Sequence, residues 1–372
     1  MRLATFNVEN MFERASIMNL SDWKEGELVL QDFAVLTNLS EKPQYSMADK
    51  KKMLEIMQKR HKGLITSGHS FHIRLNEIRG KLTKKPRNAP VEIAVNGRDD
   101  WIGWFELKRE IIKEAAIENT ARVIREVNGD VFCIIEVENR IAANRFNESV
   151  IPKVGGLKYG HVMLIDGNDD RGIDVGIMTR QPFEIQSIVS HVDDIDAEGR
   201  IFSRDCPEYK IITPSKNILL VLVNHFKSKG YGLQNDNDIR RKRQAQRVRE
   251  IYEERLKEGF EYIVIAGDFN DTPKRDPLKP LLGNNSDLVD VMSHPKFVGD
   301  GREGTHGNGT KDGKLDYILM SPKVVTRVQN CGIDRRGVWG GKNGDLFPHF
   351  PEIKTPKDAA SDHAALWVEF NL

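Results

Sequence analysis

Cysteine is scarce in this chain: 372 residues carry three, Cys133, Cys206 and Cys331, far apart in sequence. They make neither the close spacing of a metal knuckle nor a redox pair, which argues against a disulfide framework and for a reducing compartment. Long apolar runs are missing too, and nothing reaches the length needed to cross a bilayer. The amino terminus enters the strand-like RLATFNV at once, without the charged start, apolar stretch and small-residue cleavage site of a signal peptide. A cytoplasmic setting is the expectation. Internal repeats and low-complexity tracts are also lacking. With 39% hydrophobic residues there is material for a large core, either one α/β domain or a domain carrying an insertion.

Net charge is small, but its distribution is uneven. Residues 50–87 hold twelve Lys or Arg against two acids, a net of +10, in a chain whose formal total is +1, so the remainder is acidic at −9. An acidic body with one basic segment suits an enzyme that handles polyanions, with carboxylates holding metal and an arm neutralising phosphates. A solvated loop region is the alternative reading of the same run.

Apolar periodicity predicts alternating α and β segments. Leu3–Val8 and Val131–Val137 read as strands, the second nearly continuous in its apolar character and so central. Further strands are expected near 161–166, 173–179, 185–190, 218–224, 261–266, 316–320 and 364–370. Helices are expected from about 107 to 127, stopped by Asn128-Gly129-Asp130, and near 238–257. The stretch 14–105 interrupts this pattern as an insertion. It offers a helix at 47–61 and two alternating segments, 71–75 and 91–95, read as a β-ribbon whose tip carries Lys84, Lys85 and Arg87. Trp101 and Trp104 nearby are either core residues or platforms for stacking on bases.

Small polar signatures stand where these apolar runs end: Asn7 in TFNVEN, Glu136 in VFCIIEVEN, His225 in LVLVNHFKSK, Asp268 and Asn270 in AGDFND, Asp316 in KLDYIL, and Asp362-His363 near the carboxyl end. Strand ends can converge on one rim, so these residues read as an assembled site. A hard cation such as Mg²⁺ takes oxygen ligands, one or two of them carboxylates. Glu136 is the leading candidate; Glu138, on the same face if strand alternation continues, competes with it. Asp268 can ready a water and Asn270 can donate to a phosphoryl oxygen, although Asp and Asn also favour plain turns. His363 needs a carboxylate to orient it, and Asp316 is the distant acid that can reach. Ser361-Asp362-His363 is not a serine triad, because adjacent side chains cannot all converge. His225 is either a phosphate contact or a core-edge histidine. The basic start of the second helix, including Arg240 and Arg243, is either a phosphate contact or a solvated face.

Taken together, in order, TFNVEN, IIEVEN, RGIDVGIMTR, NHFKSK, AGDFND, LDYIL and SDHAAL resemble the endonuclease/exonuclease/phosphatase superfamily over residues 1–13 and roughly 107–372. The resemblance implies a four-layered α/β sandwich, two mixed β-sheets flanked by helices, with the basic insertion after the first strand. It implies Glu136 as principal metal ligand, helped by Asn7 and Asp362, with Mg²⁺ as cofactor and Mn²⁺ as a substitute. Asp268, Asn270, His225, His363 and Asp316 take the catalytic positions, and Arg171 and Asp174 line the same rim. Lys227 and Lys229 of NHFKSK join Arg240 and Arg243 as expected substrate contacts. Ile135 departs from the glutamine many members carry before the metal-binding glutamate. The expected activity is a metal-dependent phosphodiesterase, a nuclease hydrolysing DNA or RNA. A phosphomonoesterase, a lipid phosphodiesterase and an idle nucleic-acid-binding relative remain open.

Overall fold

In the computed structural model, residues 1–15, 23–169, 172–229 and 234–372 are described. By internal contacts they fall into two compact units. One comprises Met1–Glu13, Ile111–Ser228 and Asn237–Leu372; the other comprises Arg14–Glu110 and Lys229–Asp236.

The first unit turns the apolar runs into two mixed sheets. One has the strand order Phe297–Val298, Val328–Asp334, Ala365–Phe370, Arg2–Asn7, Val131–Val137, Asp174–Thr179, His161–Ile165. The other runs Glu184–Val189, Glu208–Ile212, Ile218–His225, Tyr262–Asp268, Asp316–Met320, Val289–Asp290. Each sheet has a parallel pair at its heart, Arg2–Asn7 with Val131–Val137 and Ile218–His225 with Tyr262–Asp268, flanked by antiparallel neighbours. These four strands are buried at almost every position because both faces of each sheet are covered.

Leu3, Cys133, Ile135 and Val175 of the first sheet pack face to face with Tyr209, Val221, Val264 and Ile318 of the second. The outer face of the first, through Ala4, Phe6, Phe132 and Ile134, meets Ala121, Ile124 and Val127 of the Glu114–Val127 helix. The outer face of the second, through Leu220, Leu222, Ile263 and Ile265, meets Ala245, Val248, Ile251 and Tyr252 of the Gln234–Lys257 helix. The four-layered sandwich implied by the sequence is the fold observed. Each fully buried Val, Leu, Ile or Phe contributes roughly 1.5–3 kcal/mol before conformational entropy is set against it.

Two expectations change. The helix placed from 107 begins only at Glu114, because Ile102–Leu107 is a strand to its last residue and Arg109–Ile111 forms a second short strand. Its stop is as expected, with Asn128 in the left-handed region (φ +53°) and its N–H on Ile124 O. Glu208–Ile212 and Val328–Asp334 are sheet strands with no counterpart among the expected ones. The polar residues in EYKII and VQNCGID hide them from a pattern search.

In the second unit the helix Met47–Lys59 starts at a capping box formed by Ser46 and Asp49. The expected pairing of 71–75 with 91–95 is not what forms. Ile73–Arg79 pairs with Ile102–Leu107, which places Ile73 opposite Leu107 and Leu75 opposite Phe105 on the buried face. Thr83–Lys84 pairs with Glu92–Ile93, so Lys84, Lys85 and Arg87 still lie exposed at the end of a short ribbon. The two tryptophans divide. Trp101 is buried and donates its indole N–H to Tyr45 Oη (2.9 Å), whereas Trp104 is 45% exposed.

Candidate active site

Topology brings the polar strand ends together. Within each sheet the parallel pair finishes where its antiparallel neighbours begin: His225 pairs with Asp268, and Asp268 with Asp316. In the other sheet Asn7 ends its strand beside Val131–Val137, while His363 lies just before Ala365–Phe370. One end of the sandwich therefore carries Asn7, Glu136, His225, Asp268, Asn270, Asp316 and His363.

Glu136 owes its place to a β-bulge. Val137 faces Asp174 and Ile135 faces Val175, so Glu136 has no partner across the ladder and takes φ +63°. Left-handed backbone costs a residue with a Cβ about 1–2 kcal/mol. Glu9 (φ +49°), Asn10 (φ +64°) and Asn270 (φ +53°) share that conformation. Such strain gathers where surrounding structure holds side chains in place for use. The bulge also breaks the alternation that made Glu138 a competitor. Instead, the Glu138 carboxylate accepts the backbone N–H groups of Met11 (3.0 Å), Phe12 (2.6 Å) and Glu13 (3.0 Å), which fixes the loop after the first strand.

Asp268 is the hub. Its Oδ1 accepts the Asn270 N–H (2.8 Å), and its Oδ2 accepts the side-chain amides of Asn7 and Asn270, both at 3.2 Å. Nε2 of His225 lies 3.8 Å away and Nε2 of His363 3.9 Å. Burial, with Asp316 and Glu136 nearby, pushes the Asp268 carboxyl up to about 7 against the pull of His363 and the Asn270 N–H. Gly267 before it sits at φ +136°, where a Cβ would lie 1.9 Å from the Asn224 carbonyl oxygen, so this approach of the two strands admits only glycine.

Nδ1 of His363 lies 2.8 Å from Asp316 Oδ2, which also accepts the Thr305 hydroxyl at 2.6 Å. Burial opposes protonation of His363, but Asp316, Asp362 and Asp268 outweigh it and hold the imidazole well above its ordinary value. His225 Nε2 stands 3.5 Å from Glu136 Oε1, linking the metal-ligand candidate to Asp268. Glu136, Asn7 and Asp268 offer carboxylate and amide oxygens on a buried rim, a donor set that fits a hard divalent cation such as Mg²⁺.

The remaining expected residues are placed as follows. Asp362 has Oδ2 3.1 Å from His306 Nε2 and Oδ1 3.7 Å from His363 Nε2. Asp174 begins its strand buried, accepts the Gly167 N–H (2.7 Å), and is pushed up to about 7 by burial and by Asp166 and Asp169. Lys227 uses its main chain to tie Gln244 and Arg241. Lys229 belongs to the second unit, and Arg171 lies outside the described residues.

The basic helix start is committed within the fold. Arg243 binds Asp196 and the Gly199 carbonyl, Lys242 binds Asp276, and Arg241 is fully buried on Asp271 and Asp238. Arg240 is half-buried, with burial and Arg243 lowering its affinity for a proton. Arg241, Lys242 and Arg243 are thus held by the chain's own carboxylates, where a phosphate contact or a solvated face was expected. Thr305 and His306 were not anticipated. They sit in GTHGNGT, a glycine-rich loop with no apolar run to mark it.

The model of the Endonuclease/Exonuclease/phosphatase family matches residues 113–363. No curated relative matches the sequence. Among solved structures, an endonuclease/exonuclease/phosphatase family protein from Bacteroides thetaiotaomicron is similar at TM-score 0.50 and 17% identity, over 69% of this chain and 88% of that one. A mannosyl-6-phosphatase of the same bacterium aligns at TM-score 0.49 and 16% identity, over 69% and 92%. The human Nocturnin catalytic domain with bound sulfate aligns at 0.48 and 16%, over 70% and 88%. With the matched span covering about two thirds of its length, the chain belongs to the endonuclease/exonuclease/phosphatase family of metal-dependent phosphoesterases.

Proposed function

We propose that this chain is a divalent-metal-dependent phosphodiesterase that hydrolyses nucleic acid. The observation that carries the reading is the meeting, on one rim, of an oxygen-donor set around Glu136, the buried Asp268 and the Asp316–His363 pair. Glu136 and Asn7 would hold the cation, with Mg²⁺ as the expected ion and Mn²⁺ as its substitute. When bound, it neutralises charge developing on the phosphoryl oxygens.

The chain's own groups supply the rest. Asp268 orients a water for in-line attack on phosphorus and takes its proton, being pushed towards the neutral range where a base of this kind works best. Asn270, whose amide rests on Asp268 and the Phe226 carbonyl, would turn one N–H from these to a phosphoryl oxygen, and His225 lies within reach of the same oxygens. Protonated His363, fixed by Asp316, places positive charge beside the transition state. The strained backbone at Glu136 and Asn270 preorganises both side chains before substrate arrives.

Nucleic acid is favoured as substrate by the +10 carried on residues 50–87 and by the exposed Lys84, Lys85 and Arg87 at the ribbon end. Replacing these three by serine tests it. Cleavage of long DNA or RNA should fall at least tenfold while hydrolysis of a small phosphodiester changes little. Equal loss on both substrates would give the segment a folding role. No loss on either would move the substrate to a small phosphorylated metabolite or a lipid.

A further inference from the structure

His306 has no part in the hydrolytic scheme, yet the fold holds it firmly against His363. The two residues form an isolated antiparallel bridge, flanked by Gly307 N–H on Asp362 O (2.7 Å) and Ala364 N–H on Thr305 O (2.8 Å). Cross-strand partners project to one face, and the two imidazoles meet edge to face with ring centres 4.7 Å apart. Asp362 reaches both rings, with Oδ2 3.1 Å from His306 Nε2 and Oδ1 3.7 Å from His363 Nε2. One donor atom from each residue lies within 4.8 Å of the other two.

Those donors can close on a tetrahedral ion by side-chain rotation alone. With zinc–ligand bonds of about 2.0–2.1 Å, neighbouring donors stand about 3.3 Å apart. Asp362 sets Oδ2 3.1 Å from His306 Nε2 and Oδ1 3.7 Å from His363 Nε2, so a turn of its carboxylate is needed to present one oxygen to an ion shared with both imidazoles. The supporting contacts fit as well. Asp316 on Nδ1 of His363, itself steadied by the Thr305 hydroxyl, leaves Nε2 facing the other two donors. A carboxylate behind a histidine is the usual means of orienting a metal-binding imidazole. His306 and Asp362 are 39% and 51% exposed, so an ion can arrive from solvent and keep a water as fourth ligand.

Donor chemistry separates this cluster from the rim around Glu136. Two imidazoles and a carboxylate suit a borderline transition metal, whereas carboxylate and amide oxygens suit Mg²⁺. We propose that His306, Asp362 and His363 form a second metal site, selective for Zn²⁺, whose occupation inhibits hydrolysis by capturing Nε2 of His363. The inhibitory half rests on the phosphodiesterase reading; the binding half stands without it.

Equilibrium dialysis against Zn²⁺ in excess Mg²⁺ tests the binding half. The full chain should bind one Zn²⁺ at this site, His306→Gln should weaken that binding at least tenfold, and Glu136→Gln should leave it unchanged. Co²⁺ in the same protein should give the absorption bands of a tetrahedral ion, and these should vanish in His306→Gln. Zn²⁺ affinity unaltered in His306→Gln, or lost in Glu136→Gln, would overturn the site. For the inhibitory half, Zn²⁺ should suppress Mg²⁺-supported hydrolysis by the natural sequence but not by His306→Gln, whose activity without Zn²⁺ should be retained. Equal inhibition of both would overturn the inhibitory role. An inactive protein that still binds Zn²⁺ through His306 would count against the phosphodiesterase reading and leave the site standing.

Discussion

Asp316→Asn removes one negative charge from a buried pair and little else. Asparagine matches aspartate in size, and its Oδ1 can still accept the Thr305 hydroxyl that now reaches Asp316 at 2.6 Å. What disappears is the carboxylate 2.8 Å from His363 Nδ1, both side chains being nearly inaccessible. Two unit charges about 4 Å apart interact by about 4 kcal/mol at an effective dielectric constant near 20. At about 1.4 kcal/mol per factor of ten, the largest loss in kcat is about a thousandfold. Both contacts fall on Asp316 Oδ2, so an asparagine whose NH2 took that position would instead lose the Thr305 hydroxyl and offer Nδ1 a donor, which favours the wrong tautomer of the ring. The assay is kcat and KM on a small phosphodiester, with the His363 imidazole titrated by NMR. We expect kcat to fall about 10²- to 10³-fold with little change in KM, and the raised His363 value to return towards about 6.5. Stability should respond as well. A histidine whose folded value is raised contributes stability that is full below about pH 6.5 and lost as pH rises through the folded value, so the decline above pH 6.5 should flatten in the variant. An unchanged kcat, a loss confined to KM, or an unaltered His363 titration would refute the reasoning.

Glu138→Gln should separate architecture from chemistry: losing the charged acceptor for three backbone N–H groups should cost about 1–3 kcal/mol in a denaturant melt while divalent-cation affinity stays within about twofold. A collapse of metal affinity with unchanged stability would give Glu138 the role assigned to Glu136. Gly267→Ala should destabilise by on the order of 3 kcal/mol, since the added methyl meets the Asn224 carbonyl in a conformation that disfavours any Cβ. A shift of under about 0.5 kcal/mol would show that the two strands separate there without difficulty.

The sheet cores were legible because parallel strands covered on both faces read as unbroken apolar runs, as VFCIIEV and ILLVLVN do. The polar residues ending those runs could be named for the same reason, and Asn7, His225, Asp268 and Asp316 stand at strand ends close to those expected. Hidden from the sequence was whatever depends on departures from regular geometry. The bulge at Glu136 decides between two glutamates that alternation treats alike, and no composition rule announces it. Ribbon pairing in the second unit went to Ile102–Leu107 because register follows the inward set of Ile73, Leu75, Phe105 and Leu107, which involves a strand to which the sequence reading assigns no element. Arg241 and Arg243 looked like surface cations until their partners Asp271 and Asp196 were brought in from distant parts of the chain. His306 carried no signal because a lone histidine among glycines acquires meaning only through the strand it pairs with.

Whether the rim around Glu136 is a metal-dependent site for phosphodiester hydrolysis can be decided by one comparison. Metal-stripped protein and its Glu136→Gln variant are titrated with Mg²⁺ while hydrolysis of a phosphodiester is followed. There should be no turnover before Mg²⁺ is added, saturable activation of the natural sequence, and at least a hundredfold lower kcat in a folded Glu136→Gln variant with weakened Mg²⁺ affinity. Full hydrolysis without divalent metal, or an identical Mg²⁺ titration in the variant, would contradict a metal-dependent site there.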